Sequence, residues 1–425
     1  MKTLKNLVAF ALIIFLMLIL SNTATKQVDD FYDPSDDSKS YISLAISLQE
    51  SNTFVRQEFI NQEAVETVRT PGYPLVLSLF SNLKNVIYIQ NILHMLSAIL
   101  LLLIIQKNID YRFSYIIFLV YLFHPLLVSL SQLILTETIS IFLINLVIYF
   151  LVVKEQTIIP IILISILPLI RPAYLILMIG IALFNTIFFK NLNLKKRVLV
   201  ICLLILPTTI WINRNYQLTD ELIFSSITGM NLLEETASGI KAINEDMENK
   251  ESLLEILDIQ YEEKRYWSQI LRNDVDLGSV SRVISNAPGG NPHKVVSAYQ
   301  SYAIEIILKN PLETFVLVSR AFIYNTLEPG DQIYNEVFNV RKYSFLNTSI
   351  FILNFLNIAF AFIYFLKCIK AKAIFNKEII FYILMISPLL LLATPSGRFG
   401  APLIAITLLL STSNFKKDIK PSYIY

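Results

Sequence analysis

The segment NVIYIQNILHMLSAILLLLIIQ, residues 85–106, decides the fold, because it contains no Asp, Glu, Lys or Arg along its whole length. A helix of roughly 20 apolar residues crosses the hydrocarbon core of a bilayer. The rest of the chain has the same character, since 55% of its 425 residues are hydrophobic and only 16% are charged. A soluble chain of this length would be far more polar. The sequence therefore predicts an all-α, polytopic membrane protein.

Similar apolar runs recur along the chain and predict about ten transmembrane helices. They lie at residues 6–21, 85–106, 112–132, 136–153, 157–170, 172–189, 198–213, 346–366, 378–394 and 398–413. If the chain alternates sides, the lysine-rich flanks fall on one side, from Lys2 and Lys5 before the first run to Lys416, Lys417 and Lys420 after the last. The positive-inside rule assigns that side to the cytoplasm, together with both termini. The first run also has the length of a signal peptide, and we favour an uncleaved anchor.

Two long segments then lie on the outer side and divide the chain into three parts. Residues 1–213 form an N-terminal membrane module, which includes the first interhelical segment, residues 22–84. The second interhelical segment, residues 214–345, reads as mostly helical, and residues 346–425 form the C-terminal membrane helices. The net charge of +2 provides no field for nucleic acid, and two cysteines with three dispersed histidines provide no metal-site spacing.

Acidic and arginine side chains converge on the predicted outer membrane boundary, where charges are costly and tend to mark function. They are Asp36 and Asp37 in the first interhelical segment, Arg69 just before an apolar helix, Glu137, Arg171 and Arg398 in short outer turns, and Arg214 at the end of the seventh run. Arginine forks bind phosphate, and a carboxylate can accept a proton from an attacking hydroxyl or hold a metal ion. A phosphate at this boundary would belong to a lipid, so the pattern favours transfer of a group from a lipid phosphate.

Each of these residues also has a purely structural interpretation. An arginine at a helix end can extend to the lipid headgroups. Asp36 or Asp37 suits the N-terminal dipole of the helix that begins near Ser38, and Glu137 suits the first turn of its own helix. Arginines on the outer face run against the positive-inside bias, so the set as a whole favours a functional interpretation.

Short motifs follow one another in a recognisable order. DSKSY (37–41) and RTPGYPLVLSLF (69–80) occupy the first interhelical segment and the helix start after it. LTET (135–138), LIRPAYLIL (169–177), WINRNY (211–216), FSSITGMNLL (224–233), ILKNP (307–311) and GRFGAP (397–402) follow. This ordered set resembles the GT-C superfamily of polyprenol-dependent glycosyltransferases, in the branch that includes protein mannosyltransferases and lipid A aminoarabinose transferase.

The resemblance implies a role for each candidate site residue. Asp37 would be the catalytic base, with Asp36 as the near alternative and Asp33 as a third, and Glu137 would be the second acid of the site. Arg398 resembles the arginine that faces the donor phosphate. The remaining substrate-binding positions are Arg69, Tyr73, Arg171 and Arg214. The family also implies a divalent cation in some members, for which the sequence identifies no ligands.

The expected function is therefore an inverting glycosyltransferase of a bacterial plasma membrane. Its donor would be a polyprenyl-phosphate-linked sugar, and its acceptor a lipid, glycan or protein on the outer face. The abundance of Ile, Asn and Lys is typical of an AT-rich bacterial genome and favours undecaprenyl phosphate as the carrier. Two alternatives remain open. A flippase or transporter of lipid-linked glycans would use midplane polar sites, and an O-antigen polymerase or ligase would not need the acidic first segment.

Overall fold

The computed structural model describes most of the chain, in segments separated by gaps. These are residues 2–26, 31–32, 37–56, 66–107, 111–156, 158–184, 192–249, 261–274, 292–327, 345–370, 380–381, 383–385 and 397–413. Within them the regular structure is helical and contains no strand. The prediction of an all-α chain is thus confirmed for these residues. Asp33 and Asp36 lie outside them, and Arg398 is described only through the backbone of its helix.

In the first half of the chain the helices are α1 (Lys2–Thr25), α2 (Asp37–Ser51), α3 (Gly72–Leu77), α4 (Leu83–Ile105), α5 (Tyr111–Leu122), α6 (Pro125–Ser131), α7 (Glu137–Ile148), α8 (Ile158–Ile170), α9 (Tyr174–Leu183) and α10 (Leu194–Thr219). The second half contains α11 (Ile227–Asn231), α12 (Ser238–Asn249), α13 (Tyr261–Asp274), α14 (Pro292–Lys309), α15 (Pro311–Leu327), α16 (Phe345–Lys370) and α17 (Gly397–Ser413). One π-helical turn follows α7 and another separates α11 from α12.

Three described helices are long and apolar enough to cross a membrane: Leu83–Ile105, Leu194–Thr219 and Thr348–Lys370. A fourth crossing is available if Phe113–Leu122 and Pro125–Ser131, which meet at a bend of 48°, count as one broken span. Pro125 explains the break, because proline has no N–H to donate to the preceding helical turn.

The other predicted runs coincide with shorter apolar helices, such as Ile158–Ile170 and Tyr174–Leu183. These two are separated by a turn at Pro172, which again has no backbone donor. Most of the predicted run at 378–394 lies outside the described residues. A total of ten transmembrane helices therefore remains a prediction.

Two hydrophobic clusters hold the apolar helices together. One includes Val147, Leu167, Ile181 and Leu204, which come from α7, α8, α9 and α10. The other joins α1, α4, α5, α6 and the N-terminal half of α17. Because these contacts come from helices far apart in sequence, the apolar helices form one packed bundle.

The two interhelical segments have smaller cores of their own. In the second segment, Leu233, Ile240 and Tyr299 belong to a cluster formed by the helices between residues 232 and 321. In the first, Tyr41 and Tyr73 share a cluster with Ile134, between α6 and α7, and with Ile170 at the end of α8. This last cluster lies next to the charged residues Asp37, Arg69, Glu137 and Arg171.

The two segments also contact each other. The amide of Ser226 donates to the carbonyl of Thr67 over 2.9 Å, and the Ser225 hydroxyl donates to the carbonyl of Val68 over 2.7 Å. The residues just before Arg69 are therefore positioned by the beginning of the second interhelical segment.

Candidate functional site

Helix α2 begins at Asp37, which places this carboxylate in its first turn. A negative charge there is favoured by the helix dipole. The start of α2 is attached to the segment before α7, because Ser38 Oγ donates to the carbonyl of Ile134 over 2.9 Å. The amide of Ile134 in turn donates to the carbonyl of Phe31 over 2.9 Å. The position of Asp37 is therefore set by the apolar bundle and not by the loop alone.

Arg69 forms an ion pair with Asp37. Its Nη2 lies 2.5 Å from Asp37 Oδ1, and its Nε donates to Ser40 Oγ over 3.0 Å. The two side chains are largely buried, with 17% and 21% of their surfaces exposed. The backbone of Arg69 is held by Glu66, whose Oε1 accepts from the amides of Val68 and Arg69 over 2.7 and 2.9 Å. Arg69 is thus held at its guanidinium by Asp37 and Ser40 and at its backbone by Glu66.

A second ion pair joins Glu137 and Arg171. Glu137 opens α7, Arg171 follows the end of α8, and the Nη1 and Oε1 atoms lie 3.0 Å apart. This pair is more deeply buried than the first, because only 3% of Glu137 and 11% of Arg171 are exposed. A removed charge would leave its partner in a medium that solvates it poorly, so the pair constrains how α7 and α8 approach each other.

Gly72 brings the two ion pairs close together. A Cβ atom on this residue would lie 2.7 Å from the carbonyl oxygen of Leu169 and 2.9 Å from the side chain of Ile170. Only a residue without a side chain allows the turn after Arg69 to approach the end of α8 this closely. Because Arg171 follows Ile170 directly, the approach places both arginines at one end of the bundle.

Tyr41 lies between the two ion pairs. The Arg69 guanidinium carbon stands 4.9 Å from the centre of its ring, and Tyr73 packs edge-on against it at 5.1 Å. Burial raises the pKa of Tyr41, the charge of Arg69 opposes this, and Asp37 and Glu137 reinforce it. Tyr41 also shares a hydrophobic cluster with Ile139 in the first turn of α7 and with Ile170 beside Arg171, so it lies near both pairs.

Tyr73 is completely buried beneath Tyr41 and is anchored from below. Its hydroxyl donates to Gln90 Oε1 over 2.8 Å, and Gln90 Nε2 donates to the carbonyl of Leu133 over 2.7 Å. Both side chains are shielded from solvent, so these bonds replace water that the groups would otherwise need. Tyr73 thus supports Tyr41 and presents no surface to a substrate.

Arg214, near the end of α10, contacts the backbone of Glu66. Its Nη1 donates to the Glu66 carbonyl and to Asn215 Oδ1, both over 2.9 Å. Its guanidinium stacks on Trp211 and Phe54, at 4.8 and 5.6 Å from their ring centres. The Glu66 carboxylate is itself paired with Arg56 over 2.6 Å. Among the residues described here, Arg214 therefore has no carboxylate partner of its own.

The structure thus unites four of the residues predicted from the sequence, Asp37, Arg69, Glu137 and Arg171, around Tyr41. Arg214 joins them through the backbone of residues 66–69, and Tyr73 lies underneath. The predicted Asp36 falls outside the described residues. The Arg398 side chain does too, although Ala401 in the same helix shares a hydrophobic cluster with Leu133 and Leu135.

Three residues of the site were missed by sequence reasoning: Glu66, Tyr41 and Gln90. Glu66 is an isolated acid in the apolar run AVETV, three residues before Arg69, and Tyr41 follows Asp37 by one helical turn. The spacing of Tyr41 from Asp37 was a usable signal, because residues four apart share a helix face. Gln90 gave only the weaker signal of an amide inside an apolar helix.

No group of three His, Cys, Asp or Glu side chains in the described part of the chain is arranged to hold a metal ion. The two carboxylates at the centre of the site, Asp37 and Glu137, each face an arginine.

Comparison with known proteins found no matching family model, no matching curated protein and no matching solved structure.

Proposed function

We propose that this chain is an integral membrane glycosyltransferase that moves a sugar from a polyprenyl-phosphate donor to an acceptor on the outer face of the membrane. The observation that carries the proposal is the meeting of two acid–arginine pairs, from four separate segments, around Tyr41. The proposal includes the ten-helix topology with both termini in the cytoplasm of a bacterium. The long apolar helices described above support the membrane location.

The arginines of the site have different tasks in this proposal. Arg69 and Arg171 each neutralise a carboxylate, so their charge is already used in holding Asp37 and Glu137. Arg214 is held by a carbonyl, an amide and two aromatic rings, none of which neutralises it. A guanidinium with donors to spare is suited to a phosphate oxygen. We therefore assign the donor phosphate to Arg214, in addition to Arg398, which the family resemblance indicates.

The two acids also have different tasks. Asp37 retains 21% of its side-chain surface exposed, whereas Glu137 retains 3%. Only Asp37 is open enough to reach an acceptor hydroxyl, and Glu137 serves to fix Arg171 and the end of α8. A base must come within hydrogen-bond reach of the proton it removes.

The proposed reaction is a single displacement. The acceptor oxygen attacks the anomeric carbon while its proton passes to the Asp37 carboxylate. The bond between the anomeric carbon and the phosphate oxygen breaks, and its electron pair leaves with the polyprenyl phosphate. Arg214 stabilises the charge that develops on that phosphate. Because attack and departure occur on opposite faces, the sugar configuration inverts.

The test uses full-length protein in liposomes with a panel of radiolabelled undecaprenyl-phosphate sugars and with membrane extract as the acceptor source. We expect Asp37→Asn to lower transfer by about 10²- to 10⁴-fold, the usual contribution of a general base. Arg214→Met should lower it too, whereas Arg214→Lys should retain more, since it keeps the charge. The matched control Lys309→Gln changes an exposed charge outside the site. Wild-type transfer by both Asp37→Asn and Arg214→Met, at equal protein levels, contradicts the proposal.

A second candidate is transport of a lipid-linked glycan. It is favoured by buried polar side chains midway along α4 and α7, beside the bend between α5 and α6. Asn145 Nδ2 donates to the Tyr121 hydroxyl over 3.0 Å, and the His94 ring stacks on Tyr121 with ring centres 5.7 Å apart. Broken helices and midplane polar sites are typical of transporters.

The two candidates respond to different substitutions. Asn145→Leu should abolish movement of a fluorescent lipid-linked glycan between the leaflets if the protein is a transporter, and Asp37→Asn should not. An O-antigen polymerase or ligase would likewise tolerate Asp37→Asn while still joining glycans.

A further inference from the structure

Helix α15 has two apolar faces on opposite sides. Leu317, Ala321 and Asn325 are buried and follow one another at intervals of four residues. Leu312, Phe315 and Ile323 expose 61%, 69% and 55% of their surfaces. With about 3.6 residues per turn, positions 312, 315 and 323 share one face, and that face points away from the first.

The buried face is fully accounted for by protein contacts. Leu317 packs over Gly239 of α12, where an added Cβ would lie 2.8 Å from Leu317 Cδ2. At the other end, the carbonyl oxygen of Asn325 occupies the space of a Cβ on Gly400 in α17. Helix α15 therefore bridges the second interhelical segment and the apolar helices, and no described residue covers its other face.

The place where α15 ends indicates what covers the exposed face. The carbonyl of Leu327, its last residue, accepts from Asn354 Nδ2 over 3.4 Å. Asn354 belongs to Thr348–Lys370, one of the helices able to cross a membrane, and lies about 9 Å from its start at 1.5 Å per residue. That helix exposes Phe351 and Phe355. The apolar surface of α15 thus continues onto a helix whose surface suits acyl chains.

We infer that α15 lies against the outer leaflet of the bilayer, with Leu312, Phe315 and Ile323 among the lipid acyl chains. The partner is the lipid that surrounds Thr348–Lys370. Contiguous exposed apolar surface of this kind is uncommon on proteins in water and marks an interaction surface. The charged residues Glu313 and Arg320 lie seven positions apart and therefore follow one edge of the helix, as in interfacial helices. The inference rests on the proposed membrane insertion but not on glycosyl transfer.

This contact gives the second interhelical segment a fixed position over the membrane. The same segment supplies Ser225 and Ser226, which hold the backbone before Arg69. A lipid contact through α15 would keep that segment from lifting away from the charged site.

Spin labelling of full-length protein in phosphatidylcholine–phosphatidylglycerol liposomes tests the inference. Cys202 and Cys368 are the two native cysteines, so the background is Cys202→Ser with Cys368→Ala. Nitroxides are attached through Phe315→Cys and Ile323→Cys. The matched control is Ser301→Cys, at an exposed polar position on the neighbouring helix α14. Relaxation by oxygen, which concentrates in lipid, is compared with relaxation by a water-soluble nickel chelate.

We expect oxygen to relax the labels at 315 and 323 severalfold more strongly than the nickel chelate does, and the reverse at 301. Strong relaxation by nickel at 315 and 323 would place this face in water and overturn the inference. Protection from both reagents would show that a second copy or another protein segment covers it, which also overturns the inference. Neither result depends on catalytic activity, so the outcome is separate from that of the transferase assay.

Discussion

Replacing Arg171 by methionine tests whether the deeper ion pair holds the bundle together. Glu137 Oε1 lies 3.0 Å from Arg171 Nη1, and only 3% of the Glu137 side chain is exposed. The Thr136 hydroxyl donates to the other carboxylate oxygen over 3.2 Å, which is not enough to replace a cation. Removing one member of a buried ion pair costs about 3–5 kcal/mol, because the remaining charge is poorly solvated. We expect Arg171→Met to lower the free energy of unfolding by that amount.

The matched control removes both charges. Glu137→Gln combined with Arg171→Met removes both charges of this pair and leaves neither unpaired, and such double replacements are often close to neutral. Denaturant unfolding of the detergent-solubilised protein, followed by circular dichroism, measures both variants. The reasoning is refuted if Arg171→Met costs less than about 1 kcal/mol, or if the double variant is no more stable than the single one.

Three further outcomes are expected. Gly400→Ala should reduce the yield of folded protein sharply, because the alanine Cβ would lie 1.6 Å from the carbonyl oxygen of Asn325 and the backbone would have to move. Detergent gel filtration measures the yield, and a normal yield contradicts the prediction. Tyr73→Phe should cost about 1–3 kcal/mol in denaturant unfolding, because buried Gln90 loses its hydroxyl donor; no loss would show that this bond is dispensable. Burial raises the pKa of Tyr41, so its contribution to stability is complete below the ordinary tyrosine pKa and is lost as the pH rises through the higher pKa of the folded state. The free energy of unfolding, measured from pH 8 to about 12, should therefore decline less steeply for Tyr41→Phe than for wild type. Equal declines would contradict this.

The helices were largely predictable because hydropathy is a local property. The apolar run at 85–106 became the helix Leu83–Ile105, and 112–132 became a pair of helices broken at Pro125. The run at 157–170 likewise became Ile158–Ile170.

The candidate site was predictable as a set of residues but not as an arrangement. Asp37 and Glu137 were expected in the first turns of helices, and both are there. Their partners could not be read from the chain, because Asp37 and Arg69 are 32 positions apart and meet only when the turn at Gly72 packs on α8. Tyr73, expected to bind substrate, is instead buried on Gln90.

The sequence by itself determined that this chain is helical, that its apolar helices recur, and that acids and arginines gather at helix ends. These properties depend on each residue and its near neighbours. Only the tertiary structure decided that Arg69 and Arg171 neutralise the two acids and that Arg214 stacks on Trp211 and Phe54 with no carboxylate partner among the described residues. The reason is that an arginine can offer its charge to a ligand only if packing has not already paired it with an acid from a distant segment. A local sequence pattern does not show which arginines are paired in this way.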